Sequence, residues 1–320
     1  MPINRRIPLP GLTIGNAQDQ SALTGVTVML TVDGAVAGMD VRGFAAGTRQ
    51  CDSLDVLHVV QRVHGLCFAG GSAFGTGAST GVLDYLAERE IGQNTVYAQV
   101  PIVPCAVVFD LGLGDARARP TPQMARQACE SASADYQVGA IGAGTGIAVG
   151  KYLGIEQAMK SGIGSASVES GELIVFALAV VNAFGCVYDP TGCRPVAGAR
   201  DPQSPGEIFT PDRLAYDADS RLGPVENTVL VAVFTNAALD KIEANRVARM
   251  AQAGMARCVV PAWSPYDGDI VFALSLGQVS ADQTRVGVLA ADAVSGAIID
   301  AVRSAPSGGG LISATEFGSA

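Results

Sequence analysis

Thr228 is the residue around which chemistry can be written most directly. It follows Asn227 and opens an apolar run, Val229 to Phe234, that reads as a buried strand. The run comes after Asp189 to Pro224, a stretch rich in Pro, Gly, Asp and Arg with little periodicity, which reads as a surface segment or linker. A threonine at such a junction can take the preceding acyl group onto its own Oγ, giving an ester that water then cleaves. The new N-terminal Thr228 would carry an α-amine with an ordinary pKa of about 7.7–8.0, partly neutral near physiological pH. That amine can act as general base for the hydroxyl of the same residue. The device needs neither histidine nor cysteine, which suits a chain with only two histidines. Asn-Thr alone is a common dipeptide, so the weight rests on its surroundings.

Other candidate chemistries are weaker. Gly77-Ala-Ser-Thr-Gly81 matches the G-x-S-x-G nucleophile elbow, but both histidines, His58 and His64, precede Ser79. A Ser–Asp–His chain order is therefore impossible, and Ser79 reads as the start of a helix. Gly139-Ala-Ile-Gly-Ala-Gly-Thr-Gly146 is rich enough in glycine to cradle a phosphate, yet Ile147 stands where a third dinucleotide-site glycine belongs. Lys151 is followed by Tyr152 rather than the Ser or Thr of a P-loop. A tight turn that carries Lys151 into a site is an equal reading. His58 and His64 lie in an apolar-periodic stretch without His-x-x-x-His spacing, so no metal or other cofactor is expected.

Composition bounds the classes. In 320 residues, 48% are hydrophobic and 16% charged, enough for a large core. The net charge of −9, with no basic run beyond Arg5-Arg6, disfavours nucleic acid and anionic membrane as partners. The longest apolar run, Leu173 to Val181, is too short to span a bilayer. Met1 to Gly15 has no apolar core of a secretory signal. Seven cysteines, an odd number without CxxC, point to a reducing cytoplasm rather than a disulfide framework.

The elements that must position Thr228 follow from periodicity. Gly25 to Val41, broken by Asp33-Gly34, predicts a β-hairpin. Helices are expected at Ala78 to Glu90, Gln123 to Ala134, Ala238 to Ala256 and Thr284 to Arg303. Strands are expected at Pro101 to Asp110, Leu173 to Tyr188, Val229 to Phe234 and Ile270 to Leu276. Runs of strands with helices between them fit an α+β sandwich better than regular βαβ alternation.

In this context the chain resembles the L-aminopeptidase/D-esterase/amidase family, which includes β-peptidyl aminopeptidases and the nylon-oligomer hydrolase. The resemblance runs from Leu9-Pro-Gly-Leu-Thr-Ile-Gly15 to the helix at Thr284 to Arg303. It is carried by Gly70-Gly-Ser-Ala-Phe-Gly75, Pro101-Ile-Val-Pro104 with Phe109-Asp-Leu111, Gly142-Ala-Gly-Thr-Gly146 with Gly150-Lys151, and Val180-Val-Asn-Ala-Phe-Gly185. Glu226-Asn-Thr228 with Thr235-Asn236, and Asp267-Gly-Asp-Ile-Val-Phe-Ala-Leu274, complete it in the family's order.

The resemblance implies an N-terminal-nucleophile-type hydrolase on a four-layer αββα sandwich, a fold similar also to that of ornithine acetyltransferases. One hydrolase domain, 1–320, would cut itself into 1–227 and 228–320 and assemble as a homo-oligomer, a tetramer of processed pairs. Thr228 would be the nucleophile, Asn182 the oxyanion-hole side chain, Lys151 the lysine that tunes Thr228, and Asp267 and Asp269 the carboxylates near the new amine. Gly71, Ser72 and Phe74 would line the substrate site. Taken without the resemblance, Asn182 reads equally as a satisfier of buried backbone, Lys151 as a solvated turn residue, and Asp267-Gly-Asp269 as a hairpin turn. Phe74 stands where the nylon-oligomer type carries a tyrosine, and some β-peptidyl members use Ser and a Ser/Glu pair instead of Thr228 and Asp267/Asp269. The expected substrate is a small peptide or amide, such as a 6-aminohexanoate oligomer. Acyl transfer from the same acyl-threonine, or non-catalytic binding of a small molecule or nucleotide at Gly139–Gly146, are the alternatives.

Overall fold

The computed structural model describes residues 2–216 and 227–318, and its elements mix α and β. In chain order the elements that build the site are β1 (Thr13–Asp19), β2 (Thr24–Val41), β3 (Val63–Ala69), α1 (Ser79–Ala87), β4 (Cys105–Val107), α2 (Pro122–Glu130), β5 (Ile163–Ser170) and β6 (Leu173–Asn182). They continue with β7 (Thr228–Ala237), α3 (Lys241–Cys258), β8 (Ile270–Val279) and α4 (Gln283–Ser304). Strand order is β5-β6-β7-β8-β2-β3-β4, with β1 also paired to β2 and the short strand Thr48–Arg49 beyond β4.

β2 corrects the expected hairpin. It is a single strand of 18 residues, whose first half pairs with β1 and β3 and whose second half pairs with β8. Asp33-Gly34 supplies a kink instead of a reversal. Gly34 has φ +78°, which glycine adopts without a steric penalty, and the pairing with β3 shifts register between Leu30 and Ala35. Two further expectations are shortened. Only Cys105–Val107 of Pro101 to Asp110 is strand, because prolines at 101 and 104 cannot donate to a ladder. Leu173 to Tyr188 is two strands, Leu173–Asn182 and Cys186–Asp189, separated where Gly185 packs against the backbone of Val260 and Pro261. Asp189 to Pro224 is not wholly irregular: it holds a strand, Arg194–Ala197, and a helix, Pro211–Tyr216, while residues 217–224 lie outside the described residues.

Alternation along the strands sorts the core. Val175, Ala177, Val229, Val231 and Val271 pack against Val247, Ala251, Ala290 and Val294 of α3 and α4. Their neighbours Phe176, Leu178, Leu230, Ala232 and Phe272 pack instead against Met29, Leu66 and Phe68 of β2 and β3. On the far side of β2 and β3, Val28 and Cys67 meet Val82, Leu86 and Ala125 of α1 and α2. Each fully buried aliphatic side chain contributes about 1.5–3 kcal/mol, so β6, β7 and β8 form a stiff platform. The helix between β7 and β8, which are parallel, is held at its start by a capping box of Asp240 and Glu243.

Candidate active site

The site lies where β6 ends and β7 begins. The antiparallel register places Asn182 opposite Thr228. Both residues share strand parity with Leu178, Val180 and Leu230, so their side chains stand on the face that meets β2 and β3. One residue earlier, Asn227 forms a parallel bridge with Asp267, which brings in the turn before β8. Asn227 N–H donates to Tyr266 O at 3.0 Å, and Gly268 N–H donates to Asn227 O at 2.8 Å.

Asn227 is therefore held at both its N–H and its C=O by the turn before β8. Thr228 Oγ1 donates to that same Asn227 carbonyl oxygen at 2.5 Å. Thr228 is 4% exposed, so bulk water has little access to this contact. Gly268 is needed for the approach: a Cβ at this position would stand 2.9 Å from Thr228 Oγ1 and 2.8 Å from Ala45 O.

Asn182 is held in one orientation. Its Oδ1 accepts from Lys151 Nζ at 2.7 Å and from Ala148 N–H at 3.2 Å, and its Nδ2 donates to Phe109 O at 2.8 Å. Two donors on Oδ1 settle which end of the carboxamide is oxygen. Among the described residues, one N–H of the amide is left for a further acceptor. Lys151 Nζ also donates to Asn182 O at 3.2 Å, and its backbone N–H donates to Phe184 O. Gly150, with φ +72°, turns the chain so that Lys151 enters the interior, where it is 5% exposed. The solvated-turn reading of Lys151 is thereby set aside.

Asp267 and Asp269 are both buried. Asp267 accepts from Ser264 N–H at 2.9 Å and Phe184 N–H at 3.3 Å. Asp269 accepts from Val229 N–H at 2.7 Å and Trp263 N–H at 3.2 Å. Burial pushes both carboxyls above their ordinary range, and for Asp269 the neighbouring Asp267 charge adds to it, while the N–H donors and Lys151 pull the other way. Asp269 thus touches the residue after Thr228, within reach of where a new Thr228 amine would form.

The model of peptidase family S58 matches residues 7–314 of the chain. The chain belongs to peptidase family S58. As an S58 member it is a hydrolase acting on amide bonds. An uncharacterized aminopeptidase of Mycobacterium leprae is 37% identical over 318 residues, covering 90% of this chain and 84% of the relative. A 6-aminohexanoate-oligomer endohydrolase of Paenarthrobacter ureafaciens is 28% identical over 313 residues, covering 92% and 85%. Among solved structures, a Burkholderia sp. beta-aminopeptidase aligns with TM-score 0.68 at 21% identity, over 95% of this chain and 89% of that one. The L-aminopeptidase D-ala-esterase/amidase of Ochrobactrum anthropi, described as a variant of the Ntn hydrolase fold, aligns with TM-score 0.69 at 17% identity, over 93% and 85%. These two likenesses give the S58 chain an Ntn-hydrolase-like fold.

Six of the residues singled out from the sequence of this S58 chain thus come together: Asn227, Thr228, Asn182, Lys151, Asp267 and Asp269. The other three sit at one remove. Gly71 N–H donates to Asp110 Oδ1 at 2.7 Å and Ser72 N–H to Val108 O at 3.0 Å, so both are tied to the Asn182 site through the segment that carries Phe109. Phe74 is exposed, with the Arg119 guanidinium 3.9 Å above its ring. Asp110 itself, buried with its carboxyl pushed up by desolvation, accepts also from Thr24 Oγ1 at 2.6 Å. Ser79 begins α1, as expected, and its Oγ donates back to Thr76 O in the turn before it. His58 and His64 each use Nδ1 to accept a nearby backbone N–H, from Val60 and Ile102.

The Gly139–Gly146 turn is not open to a phosphate. Gly142 N–H donates to Gln18 Oε1, Ala143 N–H to Thr27 Oγ1, and Gly144 and Thr145 N–H to carbonyls within the turn. A phosphate cradle needs such N–H groups unengaged. Sequence reasoning missed three contributors: the Gly268 N–H, the Ala148 N–H and the Phe109 carbonyl. All three act through backbone atoms, and their residue types carry no signal for it.

Proposed function

We propose that this S58 hydrolase cuts its own chain between Asn227 and Thr228, giving 1–227 and 228–320, and then hydrolyses amides with N-terminal Thr228 as nucleophile. The observation that carries the reading is the 2.5 Å contact between Thr228 Oγ1 and the Asn227 carbonyl oxygen. Oγ attack on the Asn227 carbonyl carbon closes a five-membered ring. The negative charge then develops on an oxygen that already accepts the Gly268 N–H at 2.8 Å. Collapse breaks the C–N bond, the nitrogen takes a proton to become the Thr228 amine, and Asn227 is left as an ester on Oγ. Water hydrolyses that ester, releasing the Asn227 carboxylate and restoring the hydroxyl.

In turnover, Oγ attacks the substrate carbonyl while the α-amine takes its proton and passes it to the leaving amine. The remaining N–H of Asn182 Nδ2 supports the oxyanion, and Lys151 holds the Asn182 oxygen. Water then cleaves the acyl-threonine. Asp267 and Asp269 hold the amine and favour a substrate with a free amino group. Together with the names of the relatives, this suggests short peptides or ω-amino-acid oligomers such as 6-aminohexanoate oligomers as substrates.

The same reading includes an αββα layering of one hydrolase domain, supported by two cores between helices and strands and a third between strands. It includes a homo-oligomer, a tetramer of processed pairs, which the exposed Leu57, Val59, Val96 and Tyr97 support as contact residues. A cytoplasmic location is supported by seven cysteines held as free thiols. Among the described residues no helix is long and apolar enough to cross a membrane. The test is intact mass and N-terminal sequencing of an active preparation. A chain beginning Thr-Val-Leu-Val-Ala-Val is expected; activity from full-length chain alone overturns the reading.

A further inference from the structure

Lys160 is a buried cation that the reaction above does not use. It is 1% exposed, and its Nζ donates to the carbonyls of Ser161 at 2.6 Å, Ile147 at 3.1 Å and Gly144 at 3.4 Å. It borders a small cavity with Gln20, Leu23, Thr145, Pro306 and Ser307, none of which carries a charge. Burial alone pulls its amine down to about 7.

The carbonyl of Ile147 belongs to the same peptide group as the N–H of Ala148. Ala148 lies directly opposite Lys160 in a short antiparallel pair, and its N–H donates to Asn182 Oδ1 at 3.2 Å. One continuous path therefore runs from the Lys160 ammonium through a single peptide to the carboxamide of Asn182. A peptide whose oxygen binds a cation is a stronger N–H donor, and a carboxamide whose oxygen accepts stronger donors is itself a stronger donor through nitrogen. We propose that Lys160 is a positioning residue that fixes and polarises Asn182 through the Ile147–Ala148 peptide. The proposal rests on Asn182 being the oxyanion donor.

The test is a double-mutant cycle on processed protein, with kcat and KM measured on an amide that the wild type cleaves. Lys160→Met keeps length and removes the charge. It should lower kcat about tenfold with KM nearly unchanged, the size of one charge-assisted hydrogen bond's net contribution. In the Asn182→Ala background the same change should cost less than about twofold, because coupled residues are not additive. Equal losses in both backgrounds overturn the role of Lys160 and leave Asn182 in place. Wild-type kcat in Asn182→Ala alone overturns the parent reading instead. If Lys160→Met does not fold, the ratio of wild-type to Asn182→Ala kcat is followed from pH 6 to 9. The Thr228 amine and the Asp267/Asp269 pair titrate in both proteins. Lys151 loses its Asn182 Oδ1 partner in the alanine variant, so the same ratio is followed with Lys151→Met in both proteins, where only Lys160 among the lysines of this network remains. The ratio should fall above about pH 7, as the ammonium loses its proton; a flat ratio overturns the proposal.

Discussion

An Asn and a Thr stand at each end of strand β7, Asn227 just before it and Asn236 within it, and the two ends do different things. At the far end, Thr235 Oγ1 donates to Ile174 O at 2.9 Å and accepts Ala237 N–H at 3.1 Å. Asn236 accepts Ile174 N–H at 2.8 Å and donates to Glu172 O at 2.7 Å. Every one of these bonds goes to backbone, and together they seal the turn into β6. At the near end, Thr228 faces its own preceding carbonyl, a lysine-held amide stands opposite, and two carboxylates crowd the turn beside it. Both ends are buried and share residue types, strand and partner strand. What differs is charge: Lys151, Asp267 and Asp269 converge on one end only. In the proposed reading, hydroxyl and amide side chains make a site here because ionisable groups surround them in a dry place, where their interactions weigh most.

The comparison can be broken most severely at Thr228. Thr228→Ala should remain one uncut chain on a denaturing gel and show no hydrolysis, since alanine has no Oγ to attack the Asn227 carbonyl. Cutting in this variant would show that the near end owes nothing to its hydroxyl. The next largest effect is at Asn182. Asn182→Ala, isolated in processed form, should lose about 10²–10³ in kcat, the usual loss for one oxyanion donor. A kcat near wild type would make Asn182 the equivalent of Asn236, a satisfier of backbone.

Charge at the near end sharpens the contrast in another observable. A carboxyl whose folded pKa is raised leaves the folded chain with more bound protons than the unfolded one above about pH 4, the unfolded value. Stability then falls as pH rises through that window. Burial and Asp267 raise Asp269 in this way. In the uncut Thr228→Ala background, Asp269→Asn should reduce the fall in stability between pH 5 and 6.5 by up to about 1.4 kcal/mol per pH unit. Urea melts at the two pH values measure it, and an unchanged slope places the titration on another group.

Much of this is legible in the sequence, and the reasons are local. Val229 to Phe234 and Leu173 to Val181 are apolar without a break, so strands with two buried faces follow. Ala238 to Ala256 reads as a helix, and the Asp240–Glu243 capping box sets its start at Lys241, three residues later. The six residues that meet at the site stand out through the family resemblance of their motifs, although only the pairing of Asn182 with Thr228 shows why they belong together. Asp33-Gly34 misled because the same dipeptide serves a hairpin and a kink. Which one forms depends on partners for Val36 to Val41, and those lie in β8, more than two hundred residues on. Lys160 gave no signal at all, because a lysine between Met159 and Ser161 is ordinary until three carbonyls are folded around it.

The smallest effect on turnover belongs to the far end, and it is the control that gives the comparison its meaning. Thr235→Val keeps the shape of the side chain and removes only its oxygen. The Ala237 N–H would lose its Oγ1 acceptor and the Ile174 carbonyl its Oγ1 donor, in a place where Thr235 is 1% exposed. An unsatisfied buried polar group costs about 1–3 kcal/mol, so the melting temperature should drop by several degrees. Processing and kcat should stay within about twofold of wild type, because the Thr228 end of β7 keeps all of its partners and the two positions lie far enough apart to act independently. Six residues of strand separate them, and pairing with β6 runs the whole way between, joined by β8 from Leu230 onward. If Thr235→Val instead abolished self-cleavage while the protein stayed folded, the two ends would be mechanically coupled. The strain or alignment of β7 as a whole, and not the charge around Thr228, would then set the reaction.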